Sequence, residues 1–253
     1  MLLRRITEHV KAQNWTAVAL DFVIVVVGVF MGLQVQEWSN ARAFDAQESA
    51  YLSELRAEIE ANNAISQGRL DLMIIVVEAG KRAIAFQQSA SPCVSDCWSQ
   101  LVDYFHASQV LYGPPERTVY EELLRLGLPR AQAVENAVGE YYRFDTILTS
   151  SIDTEPVYQN RIRGHFPVHV QAALWRNCHR VEGSMEVLEQ NCEADVTNSE
   201  ASVVLESIRS DDELIRHLNY WIGMNEHWSR FLDDQVELGQ NAISAIDAEL
   251  EDH

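Results

Sequence analysis

The chain has 253 residues, and its 38 acidic against 19 basic side chains give a formal net charge of −19 at pH 7. Such a surface repels nucleic acid and anionic lipid headgroups, so no nucleic-acid partner is expected; basic partners or divalent cations are what it would attract. Glycine (11) and proline (6) are sparse, and no alternating apolar run is long enough for a sheet, so the expected fold is all-α.

From the N-terminus, residues 15–38 read WTAVALDFVIVVVGVFMGLQVQEW. Ala17 to Leu33 is apolar except for Asp21. At a rise of 1.5 Å per residue a helix here crosses a bilayer core of roughly 30 Å. Trp15 and Trp38 stand where interfacial aromatic anchors belong. A cleaved signal has an apolar region of about 7–15 residues close to a small-x-small site. Here the run is longer, and Ala41-Arg42-Ala43 lies well beyond it, so an uncleaved anchor is expected. Arg4, Arg5 and Lys11 against Glu8 make the first sixteen residues net positive, whereas Glu37, Asp45 and Glu48 against Arg42 follow the span. The positive-inside rule puts the N-terminus in the cytoplasm. The expected organisation is therefore a cytoplasmic 1–14, a transmembrane anchor 15–38 and an exported helical domain 39–253. Membrane is thus one expected partner.

Two features of the anchor have paired readings. Asp21 in an apolar helix costs about 2.5–3.5 kcal/mol at the bilayer centre, less near the interface. It is either an interfacial residue or a contact for a partner helix. Gly28-x-x-x-Gly32, with Gln36 one turn on, permits close approach of a second copy or of a partner membrane protein; alternatively the glycines face lipid.

Beyond the anchor, one helix is expected to continue through Tyr51, Leu52, Leu55 and Ile59. Leu70, Met73, Ile74 and Val77 mark a second, and Trp98, Leu101, Val102 and Phe105 a third. Pro115 opens a fourth, which Gly127 and Pro129 end. A fifth runs from about 129 to 148 with Tyr141, Phe144 and Leu148 on one side. Residues 156–177 read as helix interrupted at Pro167, and 193–200 as a polar loop. Ser210-Asp211-Asp212-Glu213 reads as a capping box that starts the last helix. Along it Leu218, Ile222, Phe231 and Leu232 form an apolar face, and Val236, Ile243 and Leu250, with Gly239 and Ile246 between them, a coiled-coil-like seam. The whole is an antiparallel helical bundle carried by one transmembrane helix.

The four cysteines allow three connectivities; locality favours Cys93–Cys97 and Cys178–Cys192, as suits an exported domain. His165, His169 and His179 near Cys178 have a spacing that metal sites use, but Pro167 interrupts the helix between the first two, and surface histidines are the expectation. His217, Trp221, Asn225 and Trp228 share a helical face that either lines a small-ligand cleft or packs as core. Nucleophile-elbow, phosphate-loop, zinc-protease and dinucleotide fingerprints are missing, and no cofactor is expected.

The stretch DFVIVVVGVFMGLQVQEWSNAR resembles the anchor of a bacterial group of single-pass membrane proteins carrying a domain of unknown function. Asp21, Gly28, Gly32, Gln34, Trp38, Asn40 and Arg42 match that pattern, with Ser39 inserted. Thr118-Val119-Tyr120-Glu121-Glu122-Leu123-Leu124, Gly127 and Tyr141-Tyr142 are similar to the group's exported half, with Val119 a departure. The resemblance implies membrane-tethered helical architecture and no established activity; together with the charge-based orientation, the expected location is a bacterial inner membrane with the main domain periplasmic. The leading expectation is a non-catalytic interaction or scaffold module; the alternative is a sensory-type domain binding a small molecule and acting through a partner membrane protein.

Overall fold

A computed structural model of the protein describes residues 15–89, 91–110, 115–152, 157–183 and 185–252. Residues 1–14, which carry Arg4, Arg5 and Lys11, lie outside them, as do the side chains of Asp21 and Leu148 and all of His253. Among the described residues the chain is all-α, with eight helices and one two-stranded sheet. The helices are α1 (Trp15–Gln88), α2 (Cys97–Ala107), α3 (Thr118–Leu126), α4 (Gln132–Ile152), α5 (Val157–His165), α6 (Val168–Asn177), α7 (Asn198–Arg209) and α8 (Asp212–Asp252). Strands β1 (His179–Glu182) and β2 (Met185–Leu188) lie between α6 and α7. The chain divides into two compact units, one up to Tyr51 and one from Leu52 to Asp252.

In the first unit α1 contains a segment long and apolar enough to cross a membrane, with a mean hydropathy of 1.6 and none of it buried. The second unit is a helical bundle in which α1 and α8 run antiparallel. Arg56 pairs with Asp247, Asn63 reaches Val236, and Lys81 meets Glu226, so rising positions on α1 meet falling positions on α8. Helix α4 packs along α8, with Gln235 at Tyr141 and Phe231 stacked on Phe144.

Several boundaries differ from the sequence expectation, each for a physical reason. The two helices expected on either side of residues 60–69 are one. The Asn62-Asn63 pair and Gly68 have low helix propensity, yet Asn62 exchanges hydrogen bonds of 2.8 and 3.0 Å with the Glu116 backbone, and Asn63 donates to the Val236 carbonyl at 3.0 Å. The chain's first proline is Pro92, so nothing upstream breaks the helix. The buried stripe of this part is Leu72, Met73, Val76 and Val77, while Ile74 is 51% exposed. Helix α3 starts at Thr118, past Pro115, and Gly127 in the left-handed conformation (φ 71°) closes it as expected. Pro167 separates α5 from α6, also as expected.

The polar loop ends at Thr197. Its hydroxyl accepts from the Glu200 amide while the Glu200 carboxylate accepts from the Thr197 amide, a capping box that starts α7 inside the segment read as loop. The cap of α8 is Asp211, one residue after the expected Ser210. The Asp211 carboxylate accepts from the amides of Glu213 and Leu214, and Ser210 turns back to the Ser207 carbonyl. The Glu213 side chain is drawn away by Arg161. The β-hairpin was not expected: its strands are four residues each, too short for a visible alternation, and Gly183 at φ 63° makes the turn.

Candidate functional site

Three places collect the residues that carry chemistry. The first is the apolar part of α1. Phe22, Ile24, Val25, Phe30, Met31 and Trp38 are each more than half exposed, and Gln36 is exposed as well. A Cβ added at Gly28 or Gly32 would meet nothing within 4 Å. Arg42 lies over the Trp38 ring at 5.3 Å, a cation–π contact at the polar end of the segment. Apolar surface of this extent is stable only when lipid or another helix covers it.

The second place is a polar layer inside the bundle, where α1, α3, α4 and α8 meet. Buried apolar residues form a large cluster of α1 beyond Leu72 with α2, α5 to α7 and α8 up to Leu232. A second set lies outside it: Leu52, Leu55 and Ile59 of α1, Val134 and Val138 of α4, and Ala242, Ile243 and Ile246 of α8. Between the two along α1 and α8 come Asn62, Asn63, Ser66 and Gln235, all buried, and Asp145 of α4 joins them. Three buried atoms here have no hydrogen-bond partner among the described residues: Asn63 Oδ1, Gln235 Oε1 and the Tyr141 hydroxyl. Burial raises the Tyr141 phenol to about 12. Burial likewise lowers the Arg69 guanidinium, with Asp145 and Tyr141 acting against it.

The edge of this layer gathers Val119, Tyr120 and Tyr142, from the exported part of the resemblance. Glu58 accepts the amides of Val119 and Tyr120 at 2.7 and 3.2 Å, capping α3 from α1, and also accepts the Tyr142 hydroxyl at 2.7 Å. Tyr120 stacks on Tyr142 at 4.2 Å. Arg117 lies over the Tyr142 ring at 5.5 Å and donates to Asp145 at 2.8 Å. Burial, then the bond to Glu58, push the Tyr142 phenol well up, so it is a neutral donor at any physiological pH. Glu58 thus serves at once as the cap of α3 and as the acceptor of this phenol. Sequence reading missed this layer because Asn, Gln and Asp at core-phase positions look like an exposed face. On α1 the signal that reveals it is the place of Asn62, Asn63 and Ser66 between Ile59 and Leu72, on a stripe otherwise apolar.

The third place is the aromatic stretch of α8. Trp221, Asn225 and Trp228 are 6%, 3% and 4% exposed and His217 is half-buried. Trp221 donates its indole N–H to the Ala107 carbonyl at 2.8 Å, Asn225 donates to the Trp221 carbonyl, and the two indoles meet edge to face at 5.8 Å. This face is packed into the core; each such side chain contributes roughly 1.5–3 kcal/mol by burial.

Cys93 and Cys97 form one disulfide, with Cα atoms 5.7 Å apart, and Cys178 and Cys192 the other, at 5.1 Å. Cys178 is thereby unavailable to a metal. The three histidines do not converge: His165 bonds Ser207 and Asp211, His169 lies 4.0 Å from Glu200, and His179 lies 3.3 Å from Glu186. No group of three or more metal-ligating side chains occurs among the described residues. Sequence reading also passed over His106, which is fully buried. Its Nε2 lies 3.1 Å from the Cys178 carbonyl, and burial lowers its pKa to about 4.

Comparison with family models, with curated proteins and with solved structures finds no match.

Proposed function

We propose that this chain is a membrane-tethered, non-catalytic interaction module of a bacterial inner membrane. In this reading α1 crosses once, the N-terminus is cytoplasmic, and the disulfide-stapled bundle stands in the periplasm. The observation that carries it is the fully exposed apolar segment of α1, which has no covering surface in its own unit. Two disulfides support an oxidising compartment. Assembly runs through Gly28, Gly32 and Gln36, where a partner helix approaches most closely, with Asp21 a further contact on the same anchor; the partner is a second copy or another membrane protein.

Two measurements test this. A reporter active only outside the cytoplasm, fused after His253, is active; activity of a cytoplasm-only reporter there overturns the orientation. Gly28→Ile with Gly32→Ile weakens assembly in a membrane association assay without blocking insertion, since both changes add apolar surface. An unchanged signal assigns the glycines to lipid. Of the α8 seam, Ile243 and Ile246 are buried within the chain, and Val236 and Leu250 are half-buried.

A second reading, a sensory-type domain that binds a small molecule, draws on a groove beside the Cys178–Cys192 disulfide.

A further inference from the structure

A groove of about 610 Å³ opens between α6 and the loop of residues 193–196, within the range of roughly 300–1,000 Å³ that small-ligand sites occupy. His169, Ala172, Ala173, Arg176 and Asn177 of α6 form one wall, and Glu193, Ala194, Asp195 and Val196 the other. Opposite charges therefore face each other across it. Yet among the described residues Arg176, Glu193 and Asp195 take part in no ion pair. The groove thus presents one guanidinium on its α6 side and two carboxylates on its loop side, none of them engaged in an ion pair among the described residues.

The loop is held at both ends. Cys192 is bonded to Cys178 at the end of α6, and the Cys192 carbonyl accepts the Trp98 indole N–H at 2.8 Å. Val196 packs against the core, and Thr197 enters the capping box of α7. The carboxylate wall is thus fixed before any ligand arrives, which lowers the ordering cost of binding. Between His169 and Arg176 the α6 wall carries only the small side chains of Ala172 and Ala173, which leave room for a ligand.

We infer that this groove binds a small molecule with one carboxylate and two amines, the class of the basic α-amino acids. Charge decides the class. One guanidinium fork accommodates one carboxylate by parallel N–H···O bonds, and two carboxylates accommodate two ammonium groups. A plain diamine leaves Arg176 unmatched, and a neutral amino acid leaves one carboxylate unmatched. The inference deepens the sensory reading, and the tether does not depend on it.

The test is calorimetric titration of the full-length chain in detergent with L-lysine as the probe, and with cadaverine, 6-aminohexanoate and norleucine as comparators. L-lysine binds saturably and more tightly than all three. Arg176→Gln weakens L-lysine about tenfold or more, the scale of one charged hydrogen bond, and abolishes its advantage over cadaverine. Glu193→Gln with Asp195→Asn abolishes its advantage over norleucine. All three changes are at the groove surface, and unchanged near-ultraviolet dichroism checks that the fold is kept. No saturable binding up to about 10 mM, far into the weak range, overturns the inference. So does cadaverine binding equal to L-lysine, which signals mere attraction to an acidic surface, or binding indifferent to both sets of changes. These failures leave the topology and association tests of the tether standing, so the two readings fail separately.

Discussion

His106 is a titratable side chain fully buried on α2, its Nε2 3.1 Å from the Cys178 carbonyl. Burial dominates and lowers its pKa from 6.5 to about 4, the carbonyl opposing. The sign follows from which state takes up the proton. Between about pH 6.5 and pH 4 the unfolded chain is protonated at this residue and the folded chain is not, so stability falls as pH falls through that window. The contribution is fully present above pH 6.5 and amounts to about 3 kcal/mol over the window, of which about 2 is lost by pH 5. Urea unfolding at pH 7 and pH 5 should show this loss, and His106→Gln should shrink it. Equal slopes for both proteins would mean the imidazole is hydrated. The neutral ring leaves Nδ1 without a partner among the described residues, so the position tolerates no charge.

At the scale of elements, the α1–α8 contact is governed by what glycines permit. A Cβ at Gly239 would collide with the amide of Asn63, whose nitrogen is already committed to the Val236 carbonyl. Gly239→Ala gains about 1 kcal/mol of helix propensity but displaces a buried, bonded side chain, at about 1–3 kcal/mol. The net expectation is destabilisation by about 1 kcal/mol. A Cβ at Gly68 would meet only the end of the Met185 side chain, which can swing aside. Gly68→Ala should therefore stabilise by about 0.5–1 kcal/mol. Denaturant midpoints decide both; a stabilised Gly239→Ala would show that Asn63 is free to move. These same residues explain how far the elements were legible beforehand. The apolar segment of α1, the stop at Gly127, the break at Pro167 and the two local cysteine pairs announce themselves through local chemistry. The continuity of α1 through Asn62-Asn63 does not, because it depends on partners 54 and 173 residues away. The capping slip from Ser210 to Asp211 has the same origin, since Arg161 removes Glu213 from the box. The polar layer was invisible for a related reason: a buried amide and an exposed amide are the same letter.

For the whole molecule the strong acidity and the exposed apolar segment of α1 divide the labour. In the proposed reading the tether supplies membrane affinity, and a net charge of −19 keeps the remainder from lying on anionic lipid. The bundle beyond Tyr51 has two groups of buried apolar side chains with Asn63, Ser66, Asp145 and Gln235 at their junction. At that junction polar side chains take the place of the apolar contacts that run through each group, and this makes it the weakest internal boundary. Cooperativity is transmitted by apolar contact, and it should be reduced across this plane. Native-state hydrogen exchange should then resolve two opening reactions rather than one. Amides near Leu55 and Ile243 should exchange at a lower free energy than those near Leu101 and Leu218, which share the larger core. A single opening free energy for both sets would show that the layer couples the two halves. If they do open separately, the half that frays first is the one built on the stretch of α1 that directly follows the tether unit. A pull or a partner acting on the tether would then loosen the bundle without unfolding the groove side.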